Sequence, residues 1–280
     1  MYLYQSMSHI SIAIAILAVA ALTISLKTNP LAAAASFVRQ LIVSRKYLLH
    51  LAAMLLILLI NKFELSVEAW MNSSADFTPD IYRLEGDFIA NFQHFSANPA
   101  LTQVAAFFYV VVFPTLFVVS LGIYTHDKNK QLFYALTYTM LINYIVAMPF
   151  YLFFPVNEVW DFHHGVKFMI LDVFPAFEQQ YRPLSGINNC FPSLHTSISV
   201  SMALLALKSN SRFWKIYTMV SAVMIIFSIF YLGIHWLTDA AGGLALAFFA
   251  ATAGIKLSEG LFFSKKYRFV GTSGSKTVGK

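Results

Sequence analysis

An all-α, polytopic transmembrane helical bundle of about seven spans is the fold class that this sequence predicts. Three observations predict it: the composition, the long apolar runs, and the placement of basic residues between those runs. Of 280 residues, 58% are hydrophobic and 11% charged, against roughly 45–50% and about 25% in soluble globular proteins. The mean hydropathy is +0.65. Such a chain is not disordered, and its charge of +6 does not mark a nucleic-acid-binding domain. The 12 Gly and 9 Pro exclude a collagen-like or linker sequence, and a single cysteine, Cys190, excludes an intrachain disulfide and a cysteine zinc site.

A helix crosses the hydrocarbon of a bilayer with about 17–25 apolar residues. Runs at about 10–26, 47–61, 101–124, 132–154, 191–207, 213–233 and 236–258 supply the seven spans, the second being short at its apolar centre. The segment 31–43, apolar with Arg39 and Arg45 nearby, reads as a helix lying in the interface. A cleaved signal peptide in place of the first span needs positive charge ahead of its apolar core. Residues 1–9 hold no Lys or Arg, so the span is expected to be retained.

Basic residues on cytoplasmic connections set the orientation. Of the 19 Lys and Arg, 15 fall in one alternate set of connections, among them Lys27, Arg39, Lys128, Arg212 and Lys265. The other set holds Lys62, Arg83, Lys167 and Arg182. The N-terminus is therefore expected outside and the C-terminus in the cytoplasm. The connection 62–100 is acidic, with Glu64, Glu68, Asp76, Asp80, Glu85 and Asp87; a solvated surface is its expected role.

Two clusters stand out against this apolar background. Cys190-Phe191-Pro192-Ser193-Leu194-His195-Thr196 opens the fifth span on its outer side. Proline suits a first helical turn, and the free N–H groups of that turn, with the Ser193 hydroxyl, can hold a phosphate. The plainer reading is a helix cap beside an interfacial histidine. The second cluster runs from Ser228 to Asp239. His235 and Asp239 are four apart, so on a helix they share a face, and a carboxylate on one ring nitrogen leaves the other free as nucleophile or base. A self-satisfied buried pair is the plainer reading here, but ionisable groups in a membrane segment are costly enough to point to function. The 39 residues between His195 and His235 suffice for one span in, a basic turn at 208–215 and one span back. Both histidines then meet at the same face of the membrane.

With these residues in place the sequence resembles the type-2 phosphatidic acid phosphatase superfamily of membrane phosphatases and phosphotransferases, related to vanadium haloperoxidases. Its motifs are Lys-x6-Arg-Pro, Pro-Ser-x-His and Ser-Arg-x5-His-x3-Asp. Pro192-Ser193-Leu194-His195, Ser228 and His235-x3-Asp239 match, as does Arg182-Pro183; Pro175 stands at the lysine position and Ile229 at an arginine. The resemblance covers about 101–258 and extends to the second span. Phe191-Pro192-Ser193-Leu194-His195, the Tyr231-Leu232 pair before His235, and Phe154-Pro155-Val156 are similar to the inositol phosphorylceramide synthase branch, which also lacks the two basic residues. A diester carries one negative charge where a monoester carries nearly two, so a diester phosphotransferase needs fewer cations.

The resemblance implies that His235 attacks phosphorus to form a phosphohistidine, that Asp239 orients it, and that His195 gives a proton to the leaving oxygen and takes one from water or an acceptor alcohol. It implies that Ser193 and Arg182 hold the phosphate oxygens. His163, His164 and Lys167 are supplementary candidates, and neither a metal nor another cofactor is implied. Substrates would be membrane phospholipids or lipid phosphates, acted on at the extracytoplasmic face of a cell membrane by head-group transfer. Hydrolysis of lipid phosphate or polyprenyl diphosphate, or non-catalytic lipid binding on the same fold, are the alternatives. The expected division is 1–46 as a span plus interfacial helix, 47–260 as the catalytic membrane domain, and 261–280 as a basic tail. Cys190 and Ala240-Ala241-Gly242-Gly243 read as packing.

Overall fold

The structure, a computed structural model, describes residues 4–71 and 75–270. The expected tail beyond 270 lies outside them, while 261–270 continue the last helix. Helix α1 (Met7–Leu26) stops at Lys27, whose φ of 53° lets its N–H close on Thr23 O. Asn29 then caps α2 (Pro30–Val43) by accepting from Leu31 N at 2.9 Å, with proline in the first turn where no N–H is missed. Helix α3 (Arg45–Met71) follows, then the short α4 (Thr78–Glu85) and α5 (Phe88–Ser96).

The third long helix is α6 (Pro99–Phe107) joined to α7 (Phe113–His126) through a π-helical turn at Phe108–Val112. Pro114 has no N–H to donate, and Phe113 N reaches back five residues to Phe108 O, so the wide turn absorbs the proline without breaking the helix. After α8 (Lys130–Phe153) come α9 (Val159–Phe162) and α10 (Phe177–Gln180), both within an irregular connection. The bundle closes with α11 (Leu194–Ala206), α12 (Arg212–Tyr231) and α13 (Leu237–Val270). No strand occurs among the described residues; one parallel bridge pairs Val156 with Asn189.

Among the described residues, six helices are long and apolar enough to cross a membrane. The expected span 191–207 is the exception, because α11 has only 13 helical residues, roughly 20 Å at 1.5 Å per residue against about 30 Å of hydrocarbon. It is enclosed by α8, α12 and α13. Its Ser197, Ser199 and Ser201 are fully buried, with Ser197 and Ser201 on Asn143 of α8. A helix surrounded by protein has no lipid thickness to match. The second span differs in the other direction, since α3 runs well past 61. Its Glu64 and Glu68 accept hydrogen bonds from Asn189 and Asn188, so their polarity is absorbed inside the protein.

Helix α13 packs on α8 and α11, α3 on α8, and α1 and α2 on α7. Ile12 and Ile16 of α1, Leu55 and Leu56 of α3, Val223 of α12 and Phe248 of α13 face outward, as a lipid-exposed surface requires. At one end, Tyr4 N donates to Val173 O and Met7 N to Gln180 Oε1, so the N-terminus lies with the 155–193 connection. At the other, Lys27, Asp127 and Arg212 line one cleft. The relative sidedness read from charge is thus the one that the packing has.

Where α13 crosses α8, a Cβ on Gly254 would lie 2.9 Å from Ala135 O and closer still to Thr139 Oγ1, whereas one on Gly260 would meet nothing within 4 Å. Gly254→Ala is therefore expected to destabilise the detergent-solubilised protein by about 1–3 kcal/mol, and Gly260→Ala to be neutral or slightly stabilising. Thermal unfolding of the two variants checks this.

Candidate active site

The turn from α12 to α13 is built around Gly233, whose φ of +78° is a left-handed conformation that glycine adopts without a Cβ penalty. A Cβ there would also lie 2.9 Å from Lys167 O. The backbone N–H groups of Ile234 and His235 both donate to Ile229 O, at 3.0 and 3.2 Å, which winds the chain back toward the bundle. His235 thus sits on the turn, ahead of α13, and not on a helix face shared with Asp239. The pair forms all the same: Asp239 Oδ2 accepts from His235 Nδ1 at 3.2 Å and from Trp236 N at 2.8 Å. Asp239 is the helix's own first-turn carboxylate, a favoured place for negative charge. Glu85 reaches in from α4 to accept from Leu237 N and Thr238 N at 2.7 and 2.5 Å.

Ser193 caps α11, its Oγ accepting from Thr196 N at 3.3 Å while its own N–H donates to Asp239 O at 3.0 Å. It is fully buried. Two residues on, the His195 ring stacks on Tyr109 of the π-helical turn, 4.3 Å away, and lies 4.5 Å from Phe113. Its centroid stands 6.0 Å from that of His235. Both histidines line a cavity of about 40 Å³ together with Glu158, Asn189, Cys190 and Leu194, little more than the roughly 30 Å³ share of one water. His195 Nε2 is buried with no partner in the protein.

Arg182 is placed beside this cavity but turned to carboxylates. Its guanidinium donates to Glu158 at 2.6 and 2.9 Å, to Glu178 at 2.9 and 3.1 Å and to Gly186 O at 2.8 Å, against the faces of Phe168 and Phe177. Burial works against the Arg182 charge, but its hydrogen bonds to Glu158 and Glu178 outweigh it and hold the group above its usual range. Burial pushes the Glu158 carboxyl up, and Arg182 opposes the shift. No Lys or Arg is among the residues lining the cavity.

The supplementary candidates are elsewhere. His163 donates from Nε2 to Asp87 Oδ1 and accepts at Nδ1 from Gly165 N, both at 3.0 Å, beside Tyr82. His164 is exposed, and Lys167 is paired with Asp172 at 2.7 Å on the surface. Ile229 is fully buried in the apolar cluster that includes Tyr109 and Phe168. The acidic connection departs from a purely solvated surface: Glu64, Glu68 and Glu85 turn inward to bind Asn189, Asn188 and the α13 N-terminus.

Glu158, Tyr109 and Phe113 carry no mark in the sequence, and Glu85 stands out only as one carboxylate of the acidic connection. Glu158 stands three residues after Pro155 and 24 before Arg182, a separation with no local signature; Glu85 reveals itself only through the helix end it meets. Cys190 Sγ, a His235 nitrogen and an Asp239 oxygen lie within 4.8 Å of one another, a conceivable metal triad. Burial first, then the field of Asp239, drives the Cys190 thiol well above its ordinary range, away from the thiolate that a metal needs. The thiol donates instead to Ile187 O and Ile234 O, at 3.9 and 3.8 Å.

In comparison with known families, residues 82–253 match a family model described as the PAP2 superfamily, which covers more than half of the chain and both histidine clusters. No curated protein and no solved structure matches the chain.

Removing Arg182 leaves Glu158, only 4% exposed, as an uncompensated buried charge, a change that costs about 3–5 kcal/mol. Arg182→Ala is therefore expected to lower thermal stability sharply, and Arg182→Ala with Glu158→Gln to recover part of the loss. Unfolding curves of the single and double variants check this. Equal stability of wild type and Arg182→Ala would contradict it.

Proposed function

The chain belongs to the PAP2 superfamily, and from that premise we propose that it is a phosphotransferase acting on lipid phosphodiesters. Membership supports lipid phosphatase or phosphotransferase activity in general. The observation that carries the narrower reading is a two-histidine cavity containing a buried carboxylate and no unpaired cation among its lining residues. A monoester would bring nearly two negative charges to that cavity, a diester one. Phosphatidylinositol-like head-group transfer is the activity this charge balance fits best.

His235, held at Nδ1 by Asp239, presents Nε2 as the nucleophile. Nε2 attacks phosphorus, the bond from phosphorus to the leaving alcohol oxygen breaks, and His195 delivers a proton to that oxygen. In the second half His195 takes the proton of an acceptor alcohol, or of water, whose oxygen displaces His235 from phosphorus. Asp239 stabilises the imidazolium that forms. The first-turn N–H groups of α11 are the donors for the non-bridging oxygens, with Ser193 acting as the cap that aims this turn. Arg182 is a positioning residue that keeps Glu158 paired. The chemistry calls on no metal or other cofactor. Residues 47–260 would form the catalytic domain, with 1–46 appended and α13 running on past it to Val270.

The assay is turnover of phosphatidylinositol, phosphatidylglycerol, phosphatidate and a polyprenyl diphosphate by purified protein in detergent. Diesters are expected to turn over fastest, with His195→Ala losing about 10²–10⁴-fold and His235→Ala at least as much. Unchanged turnover in His235→Ala would remove that residue from its role. Phosphatidate or the diphosphate reacting tenfold faster than either diester would overturn the diester reading alone.

The site end of the bundle is proposed to be extracytoplasmic, at the cell membrane. Because Cys190 is buried, Gln180→Cys and Asn210→Cys give clean single-site labels. An impermeant thiol reagent added to intact cells is expected to label position 180 and not 210. The reverse pattern would invert the orientation.

A further inference from the structure

The end of the bundle opposite the two histidines carries a far larger cavity, a cleft of about 710 Å³ where the C-terminus of α1, the turn after α7 and the N-terminus of α12 meet. Lys27 and Arg212 line it, and neither side chain has an ion-pair or hydrogen-bond partner among the described residues. The one carboxylate of the lining, Asp127, accepts from His126 Nδ1 at 3.3 Å instead. Ser25 Oγ, also in the wall, is buried with no partner in the protein. The first turn of a helix leaves backbone N–H groups without acceptors, and on α12 Ser211 satisfies the one of Trp214. Lys27 and Arg212 against Asp127 give the lining a net charge of +1.

The surroundings of these donors are apolar and open. Ile24 of α1 and Ile216 of α12 flank the cleft, and both are more than half exposed. Val220 and Val223, four and seven residues on, share the face of Ile216 and are exposed as well. An apolar strip therefore climbs α12 from the charged floor toward the middle of the span. A free phosphate would meet the cations and leave the strip bare, while an acyl chain alone would cover the strip and leave two cations bare. A phospholipid meets both, its phosphate on Lys27 and Arg212 and its chains along the strip. Net charge then sorts the head groups. A zwitterionic lipid brings a cation of its own and leaves the lining uncompensated, and a phosphomonoester brings nearly two negative charges beside Asp127. A lipid whose single charge is its phosphodiester matches +1. The volume falls within the roughly 300–1,000 Å³ of small-molecule sites.

We propose that this cleft binds one anionic phospholipid with a single phosphodiester charge and an uncharged head group, of the phosphatidylglycerol class, in the leaflet at that end of the bundle. The lipid would tie α1 to α12. Helix α1 precedes the residues 82–253 matched by the family and packs on α7 and on the π-helical turn that carries Tyr109. Helix α12 leads to the turn that holds His235. A lipid seated between them clamps the first span to the helix that ends at the site. The assignment does not depend on the phosphotransfer reading.

Because a phosphodiester lipid is also a proposed substrate, the test has to separate the two ends of the molecule. Native mass spectrometry of the purified full chain, exchanged against equimolar phosphatidylglycerol, phosphatidylethanolamine and phosphatidylcholine, reads which lipid stays bound. One retained phosphatidylglycerol is expected, in wild type and equally in His235→Ala. Lys27→Gln and Arg212→Gln are each expected to lower retention about fivefold, the size of one basic contact to an anionic lipid. Arg39→Gln, an equal loss of charge at an exposed position of α2, is expected to leave it unchanged. Thermal unfolding in lipid-free detergent is expected to match wild type for Lys27→Gln and Arg212→Gln, while the rise in Tm on adding phosphatidylglycerol shrinks in both; if Lys27→Gln does not fold, Arg212→Gln decides. Glycerophosphoglycerol in large excess, the same head group without chains, is expected not to displace the lipid. Equal retention of the three lipids, retention untouched by Arg212→Gln, or displacement by glycerophosphoglycerol overturns the lipid site. Retention lost in His235→Ala but kept in Arg212→Gln moves the bound lipid to the catalytic end and equally overturns it.

Discussion

Asp239 is the residue on which the architecture of the site hangs. Its backbone oxygen receives the N–H of Ser193, its Oδ2 receives the His235 ring and the N–H of Trp236, and it lies in the first turn of α13. One side chain and one carbonyl therefore register three things: the start of α11, the turn after α12, and the orientation of a histidine. Gly242 and Gly243 make this approach possible, since a Cβ on Gly243 would lie 2.6 Å from Ser193 O and one on Gly242 would collide with Phe191. The small-residue stretch read from sequence as packing has that role, at the point where two helix starts must nearly touch.

Around this centre the protein disposes of its charges in pairs. Arg182 with Glu158 and Glu178, His235 with Asp239, and Glu85 with the α13 N-terminus each place a buried or half-buried ionic group on a partner. Breaking one such pair in a low-dielectric setting leaves a charge that water cannot reach, which is why these contacts constrain the fold more than surface ion pairs such as Arg83–Asp80 do. The same pairing leaves the cavity between the histidines without a spare cation. The electrostatics that hold the loop in place and those on which the proposed diester preference rests are thus one arrangement.

The acidic connection shows how a surface-looking segment becomes structural. Glu64 and Glu68 of α3 accept from the Asn189 and Asn188 side chains, Gln93 of α5 bonds both Lys167 and Tyr231 O, and Thr78 receives Asn157 N. Each bond joins segments at least 70 residues apart. They clamp the irregular 155–193 connection over the mouth of the bundle, where helix-to-helix packing alone would leave it unsupported.

The sequence by itself determined the bundle, the relative sidedness of its connections and the meeting of His195 with His235. These follow from local quantities: apolar run length, basic residues per connection, and a hairpin long enough to go in and return. The pairing of His235 with Asp239 was legible for a similar reason, as four residues keep the groups close on a turn as well as on a helix. Only the tertiary structure decided that α11 crosses the bundle with 13 helical residues, because enclosure by neighbours and not composition relaxes the length it needs. Only there does Arg182 find Glu158, and Glu64 find Asn189. Arg182 meets Glu158 across 24 residues of irregular chain and Glu64 meets Asn189 across 125, and no spacing rule reaches either.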